Sequence, residues 1–186
     1  MKIKITNKQA VGLGGFMVFV FLLLLWYEQK QAPPIIDMRG KLPTDPNKKL
    51  PTRSLEQIEF ITVHHTAGAP QSLEYYARLH ISKSDVEIAY PELIDEKGTV
   101  YICHDPTTIS YHNENNNTRT YGICLIGNYE GKEPTAAQLQ ALEQRIKYNR
   151  KRFPNPVDVA GHGEFKATAC PGKHLQKHLQ KYKLRA

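Results

Sequence analysis

The run Tyr121–Gly127 reads YGICLIG, seven residues without a charge. A strand this apolar has no wet side, so it belongs in the middle of a sheet covered on both faces. Strand-like runs and helical periods alternate around it. Ile58–His64 is rich in β-branched and aromatic residues and reads as a strand. Ser72–Lys83 carries Leu73, Tyr76, Ala77 and His80 at helical spacing. Val86–Ile94 and Thr99–Cys103 read as a hairpin turned at Asp95-Glu96-Lys97-Gly98. Thr135 opens a helix with capping-box spacing to Gln138. Leu139, Leu142, Ile146 and Phe153 form its apolar stripe, and Pro154 stops it. Val157–Ala160 is a brief strand, and 173–184 is a basic amphipathic helix. The fold class is α/β: a single domain with a central mixed sheet flanked by helices.

The first fifty residues obey different rules. Val11–Tyr27 holds no charge, Trp26 and Tyr27 close it, and Lys2, Lys4 and Lys8 precede it. Seventeen apolar residues ending in interfacial aromatics read as a transmembrane helix. A cleaved signal peptide shares that design, but Glu28–Pro33 offers no small-x-small site. The expected plan is a cytoplasmic tail at 1–10, a signal anchor at 11–27, a linker at 28–54 and the domain proper at 55–186. Pro33, Pro34, Pro43, Pro46 and Pro51 make the linker semi-extended, with Ile35-Ile36 free to dock on the domain.

Charge narrows the partners. The formal charge is +7, and beyond residue 27 it falls to +4, from 22 bases against 18 acids. That excess suits an anionic polymer or a membrane surface. No basic stripe with interleaved aromatics occurs, so nucleic acid is not expected. A monomer is the default expectation.

Two segments about a hundred residues apart carry the chemistry: Ile61-Thr62-Val63-His64-His65-Thr66 and Gly161-His162-Gly163 through Cys170-Pro171-Gly172. Together they place two or three imidazoles and a thiol near strand ends. Three N/S ligands with an open fourth place is the ligand count of a catalytic zinc site. A lone histidine near a strand end is more often a hydrogen-bonded core residue, and a lone cysteine a small buried apolar one. The combination is what points to metal. Strand alternation sets His64 with Phe60 and Thr62, and His65 with Ile61 and Val63. A central strand is buried on both faces, so periodicity leaves both histidines open as the first ligand.

Over residues 56–175 the chain resembles the zinc-dependent N-acetylmuramoyl-L-alanine amidases of the second type, the family that includes phage lytic amidases and peptidoglycan recognition proteins. The carriers are ITVHHTAG, IAYPELIDEKGTVY, YHNENNNTRTYGICLIGNYEG, the PTAAQ helix start and GHGEFKATACPG. The resemblance implies a sheet of about six strands with a zinc groove, and hydrolysis of the amide between N-acetylmuramic acid and L-alanine in peptidoglycan. It implies His64, His162 and Cys170 as zinc ligands, and Tyr90 and Thr168 as catalytic groups at the reacting carbonyl. His112 lies in a segment that often lines the family's groove, and it, His65 beside the first ligand and Asn113 of the polar loop are candidate substrate contacts. A peptidoglycan-binding module without turnover is the rival function. With the anchor, the expected location is the extracytoplasmic side of the cytoplasmic membrane.

The chain departs from its relatives in two places. Pro91-Glu92 stands where they often carry His-Phe, and Ser82–Asp85 lacks their usual Gly-Trp. A proline there suggests a sheet edge or bulge, and Glu92 is a candidate supplementary acid–base group. His80 is expected to be structural, and His104, His174 and His178 exposed. Cys103 and Cys124 are expected to be buried thiols.

Overall fold

A computed structural model describes residues 17–18 and 32–184. Its sheet has six strands: β1 Ile35–Asp37, β2 Phe60–His65, β3 Glu92–Ile94, β4 Val100–Ile102, β5 Thr120–Leu125 and β6 Asp158–Gly161. They lie in the order β1-β4-β3-β5-β2-β6. The β3–β4 pair is antiparallel and every other pair is parallel, so the sheet is mixed. The apolar run sits where its composition demands. All six residues of β5 are buried, and β5 lies between β2 and β3.

Helices cover both faces. Helix α1 is Leu73–Ser82, α2 is Ala136–Arg152 and α3 is Lys173–Leu179. On one face Ala141, Leu142 and Ile146 of α2 and Leu175 and Leu179 of α3 pack on Ile61, Val63, Ile123 and Leu125. On the other, Tyr76 and Ala77 of α1 pack on Leu93 and Cys124. The ends of the helices follow local chemistry. Ser72 Oγ accepts from the Tyr75 N–H. Thr135 and Gln138 form the reciprocal capping box, the Thr135 hydroxyl accepting at 3.1 Å and the Gln138 carbonyl at 3.2 Å. Arg150, Lys151 and Arg152 fill the last turn of α2, where the helix dipole favours cations.

Three expectations change. The compact unit begins at Pro33, not near residue 55. Strand β1 pairs in parallel with β4, Ile35 beside Val100 and Asp37 beside Ile102. Proline-rich chain is extended, and extended chain is what a sheet edge accepts. Met38 and Leu42 continue onto the α1 face, and Arg53 is buried. The hairpin also shrinks, because residues 86–90 do not pair as a strand. Their backbone bonds go elsewhere: Val86 C=O accepts from Asp45 N–H, Ile88 C=O faces His104 Nε2, and Ala89 N–H donates to His80 Nδ1. Pro91 does not mark an edge, but Cys103 and His104 N–H both donate to its carbonyl, two residues against one as in a bulge. It precedes an interior strand, and the bond from the Cys103 N–H is 2.8 Å. Among the described residues no helix is long and apolar enough to cross a membrane. The expected span 11–27 and tail 1–10 lie outside them, apart from Met17 and Val18, which are helical.

Candidate metal centre

Parallel neighbours bring the two histidine segments together. Strand β2 pairs with β6, Val63 beside Gly161, so His162 leaves the sheet next to the end of β2. The chain then turns back, and Gly163 N–H donates to the Cys170 carbonyl at 2.7 Å. Gly172 holds the returning loop close, with φ +91°. A Cβ there would lie 2.4 Å from the Tyr129 carbonyl carbon, so only glycine fits. The result is one group of ligand atoms, from His64, His162 and Cys170, all within 4.8 Å of one another. Cys170 Sγ is 3.7 Å from His64 Nδ1, and the His64 and His162 ring centroids are 4.6 Å apart.

The donor set fits a borderline-soft cation such as zinc. Burial holds His64 well below its usual pKa, and also lowers His162, so both imidazoles are neutral, the form in which they could bind a metal ion. His162 Nε2 is buried without a hydrogen-bond partner among the described residues. Burial pushes the Cys170 thiol up to about 11, against a smaller opposite effect of the His65 N–H. A bound divalent cation would reverse that balance and favour the thiolate.

The two adjacent histidines part company. His64 faces the α1 side, with Tyr90, His112 and His162 around its ring. His65 is turned away, 4% exposed, and its Nδ1 accepts from the Tyr129 N–H at 3.1 Å. Its backbone N–H reaches Cys170 Sγ at 3.5 Å. His65 therefore ties the loop after β5 to the metal loop, and the substrate-contact expectation gives way to this bracing role. Asn113 is likewise fully buried, its Nδ2 3.4 Å from Thr62 Oγ1, so it supports the groove floor from within. His112 is 6% exposed and bonds to His64, which makes it a partner of the ligand before it is a contact for anything larger.

Tyr90 and Thr168 flank the group differently. The Tyr90 ring lies 5.2 Å from the His64 ring and 5.3 Å from that of His80. Burial, with the neighbouring Cys124 and Cys170 thiols, raises its pKa well above the usual value, so its hydroxyl keeps its proton. Thr168 is exposed, and its Oγ1 accepts from the Cys170 N–H at 3.2 Å. Thr168, Cys170, Gly163 and Glu130 share a cavity of about 430 Å³.

Glu92 is absent from this side. It is fully buried on the opposite face, where its carboxylate accepts from Arg145 Nε and Nη2, Asn149 Nδ2 and the Tyr121 hydroxyl at 2.7–3.0 Å. An acid–base role is thereby excluded, because strand alternation points it at α2. His104 is buried rather than exposed, bonded to the Ile88 carbonyl. His174 and His178 pair with Glu133. Cys103 and Cys124 are buried free thiols, as their strand-like contexts indicate. One important residue had no sequence signal. Arg53, placed in the linker, donates to the carbonyls of Pro106, Asn117, Thr118 and Thr120 and so binds the loop that carries His112.

The mixed α/β sheet thus presents at its strand ends a two-imidazole, one-thiol group that could hold a metal ion. Residues 54–173 match the family described as N-acetylmuramoyl-L-alanine amidase, and the chain belongs to that family. It is similar to a peptidoglycan-recognition protein of Drosophila melanogaster, 30% identical over 140 residues, which cover 70% of this chain and 77% of the relative. Among solved structures, bumblebee PGRP-SA has a TM-score of 0.72 at 25% identity, over 81% of this chain and 96% of that one. The N-acetylmuramoyl-L-alanine amidase LysC of Clostridium intestinale shares the fold, with a TM-score of 0.66 at 23% identity, over 81% and 97%.

Proposed function

We propose that this protein hydrolyses the amide bond between N-acetylmuramic acid and L-alanine in peptidoglycan, using a zinc ion held by His64, His162 and Cys170. The carrying observation is the convergence of those three donors within 4.8 Å, with an orphaned imidazole nitrogen among them. When bound, zinc would supply Lewis-acid activation of water and of the lactyl carbonyl. The protein's own groups do the rest. Tyr90, protonated and beside His64, donates to the oxyanion that develops on the carbonyl oxygen. Thr168 shapes the loop that presents Cys170 and offers a second hydroxyl at the cavity mouth. His65 and Asn113, both buried, keep the groove floor rigid.

Recognition without turnover is favoured by one fact, the similarity to peptidoglycan recognition proteins. Purified sacculi separate the two readings. The full-length chain loaded with zinc is expected to release stem peptides, identified by mass spectrometry, and to stop when a chelator is added. Retention on sacculi with no released peptide would replace the amidase reading with the binding one. The lysine-bearing start and the uncharged run 11–27 support placing the domain on the outer side of the cytoplasmic membrane. Recovery of the full chain in the soluble fraction would remove that placement.

A further inference from the structure

The bonds around His112 run in one direction. Its Nε2 lies 3.3 Å from the Thr120 carbonyl oxygen, which can only accept. Nε2 therefore carries the hydrogen, and in a neutral ring Nδ1 is then a bare acceptor. That Nδ1 is 3.0 Å from His64 Nε2, which must donate to it. His64 Nδ1 is left bare, and it is the nitrogen that lies 3.7 Å from Cys170 Sγ. Each step follows from the one before, starting at a backbone oxygen that has no alternative role.

We infer that His112 is a positioning residue that sets the tautomer of His64, leaving the Nδ1 lone pair free and aimed at the metal group. This rests on the zinc reading above for its consequence, though the tautomer itself does not. The chain is built for the contact at three further points. Arg53 Nη1 donates to the same Thr120 oxygen at 2.6 Å, fixing the carbonyl from which the relay starts. Gly122 lies under the His112 ring, where a Cβ would come within 2.8 Å of Nδ1. Both rings are buried, at 1% and 6% exposure, which keeps them neutral and excludes competing water. A metal-bound histidine usually gives its other N–H to a carboxylate, a carbonyl or water. Here a second imidazole stands between the ligand and the carbonyl.

The experiment uses full-length protein, labelled with ¹⁵N-histidine, in detergent micelles. Ring ¹H–¹⁵N correlation spectra of the chelator-treated protein are expected to show His64 and His112 each protonated at Nε2 only. A His64 protonated at Nδ1, or split between tautomers, overturns the inference. Zinc affinity, measured by competition with a chromophoric chelator, is the second arm. His112→Phe removes the acceptor and is expected to weaken zinc binding about 10–100-fold. His112→Gln keeps an acceptor for His64 and a donor for Thr120, and is expected to stay within about threefold of wild type. Unchanged affinity in His112→Phe also overturns the inference. If His112→Phe fails to fold, the His112→Gln affinity and the wild-type spectrum decide. If the wild-type chain binds no zinc, the metal reading fails, and the tautomer spectrum still decides this one.

Discussion

Two clusters of buried polar side chains lie on opposite faces of the sheet, and they are finished differently. On the α2 face, Glu92 of β3 receives four hydrogen bonds from Arg145, Asn149 and Tyr121. Its carboxylate has no capacity left and no path to solvent. On the α1 face, His64, His162 and Cys170 are brought together with an imidazole nitrogen lacking any partner among the described residues. Burying polar groups is costly on either side. The Glu92 carboxylate offsets that cost within the protein, although Asn149 Oδ1 beside it also lacks a partner among the described residues. What separates the two is the kind of group: an ionised carboxylate met by its donors on the α2 face, and converging imidazole and thiol donors with room for a cation on the α1 face.

The largest test removes the open side. Cys170→Ala is expected to lower stem-peptide release by about three orders of magnitude, the scale of several kcal/mol of lost metal activation. Its urea midpoint in chelator should stay near wild type, since the thiol makes only long contacts of 3.5–4.0 Å. Arg145→Met does the reverse on the closed side. It strands a fully buried carboxylate and is expected to cost about 3–5 kcal/mol of unfolding free energy in urea titration. Wild-type zinc affinity in the fraction that remains folded would confirm that the two faces are independent. A drop in affinity would break the comparison.

Tyr90→Phe is expected to lower kcat about 100-fold with little change in KM, as for loss of one oxyanion donor. A raised KM with kcat unchanged would make Tyr90 a binding group instead. The last test is in pH. Burial lowers His80 to about 4 and His112 to about 3, against the usual 6.5. Between those values the unfolded chain binds more protons, so stability rises with pH. The stability these rings contribute is complete above about pH 6.5 and is lost as pH falls toward 3. Urea midpoints of metal-free protein should fall across that window, and His80→Gln should flatten it between pH 6.5 and 4. An unchanged slope in that variant would remove His80 from the account.

Much of this is legible without coordinates. The all-apolar β5, the Thr135–Gln138 box and the stop at Pro154 are local, decided by neighbours within four residues. The ligand segments are legible as residue types at strand ends. The docking of the proline-rich segment is not, because proline reports extension and says nothing of pairing, and the partner of β1 lies 65 residues away at β4. Glu92 misleads for a similar reason. A lone acid after a tyrosine suggests chemistry until Arg145 and Asn149, more than 50 residues on, are seen to surround it.

The sequence by itself determined the α/β class, the caps and the residue types of the candidate ligand segments, because composition and short spacing control those directly. Only the tertiary structure decided which acid is neutralised, and that Arg53 and His112 stand behind His64. Each of those outcomes depends on which face of a strand meets which distant element, and strand periodicity is silent where both faces are buried.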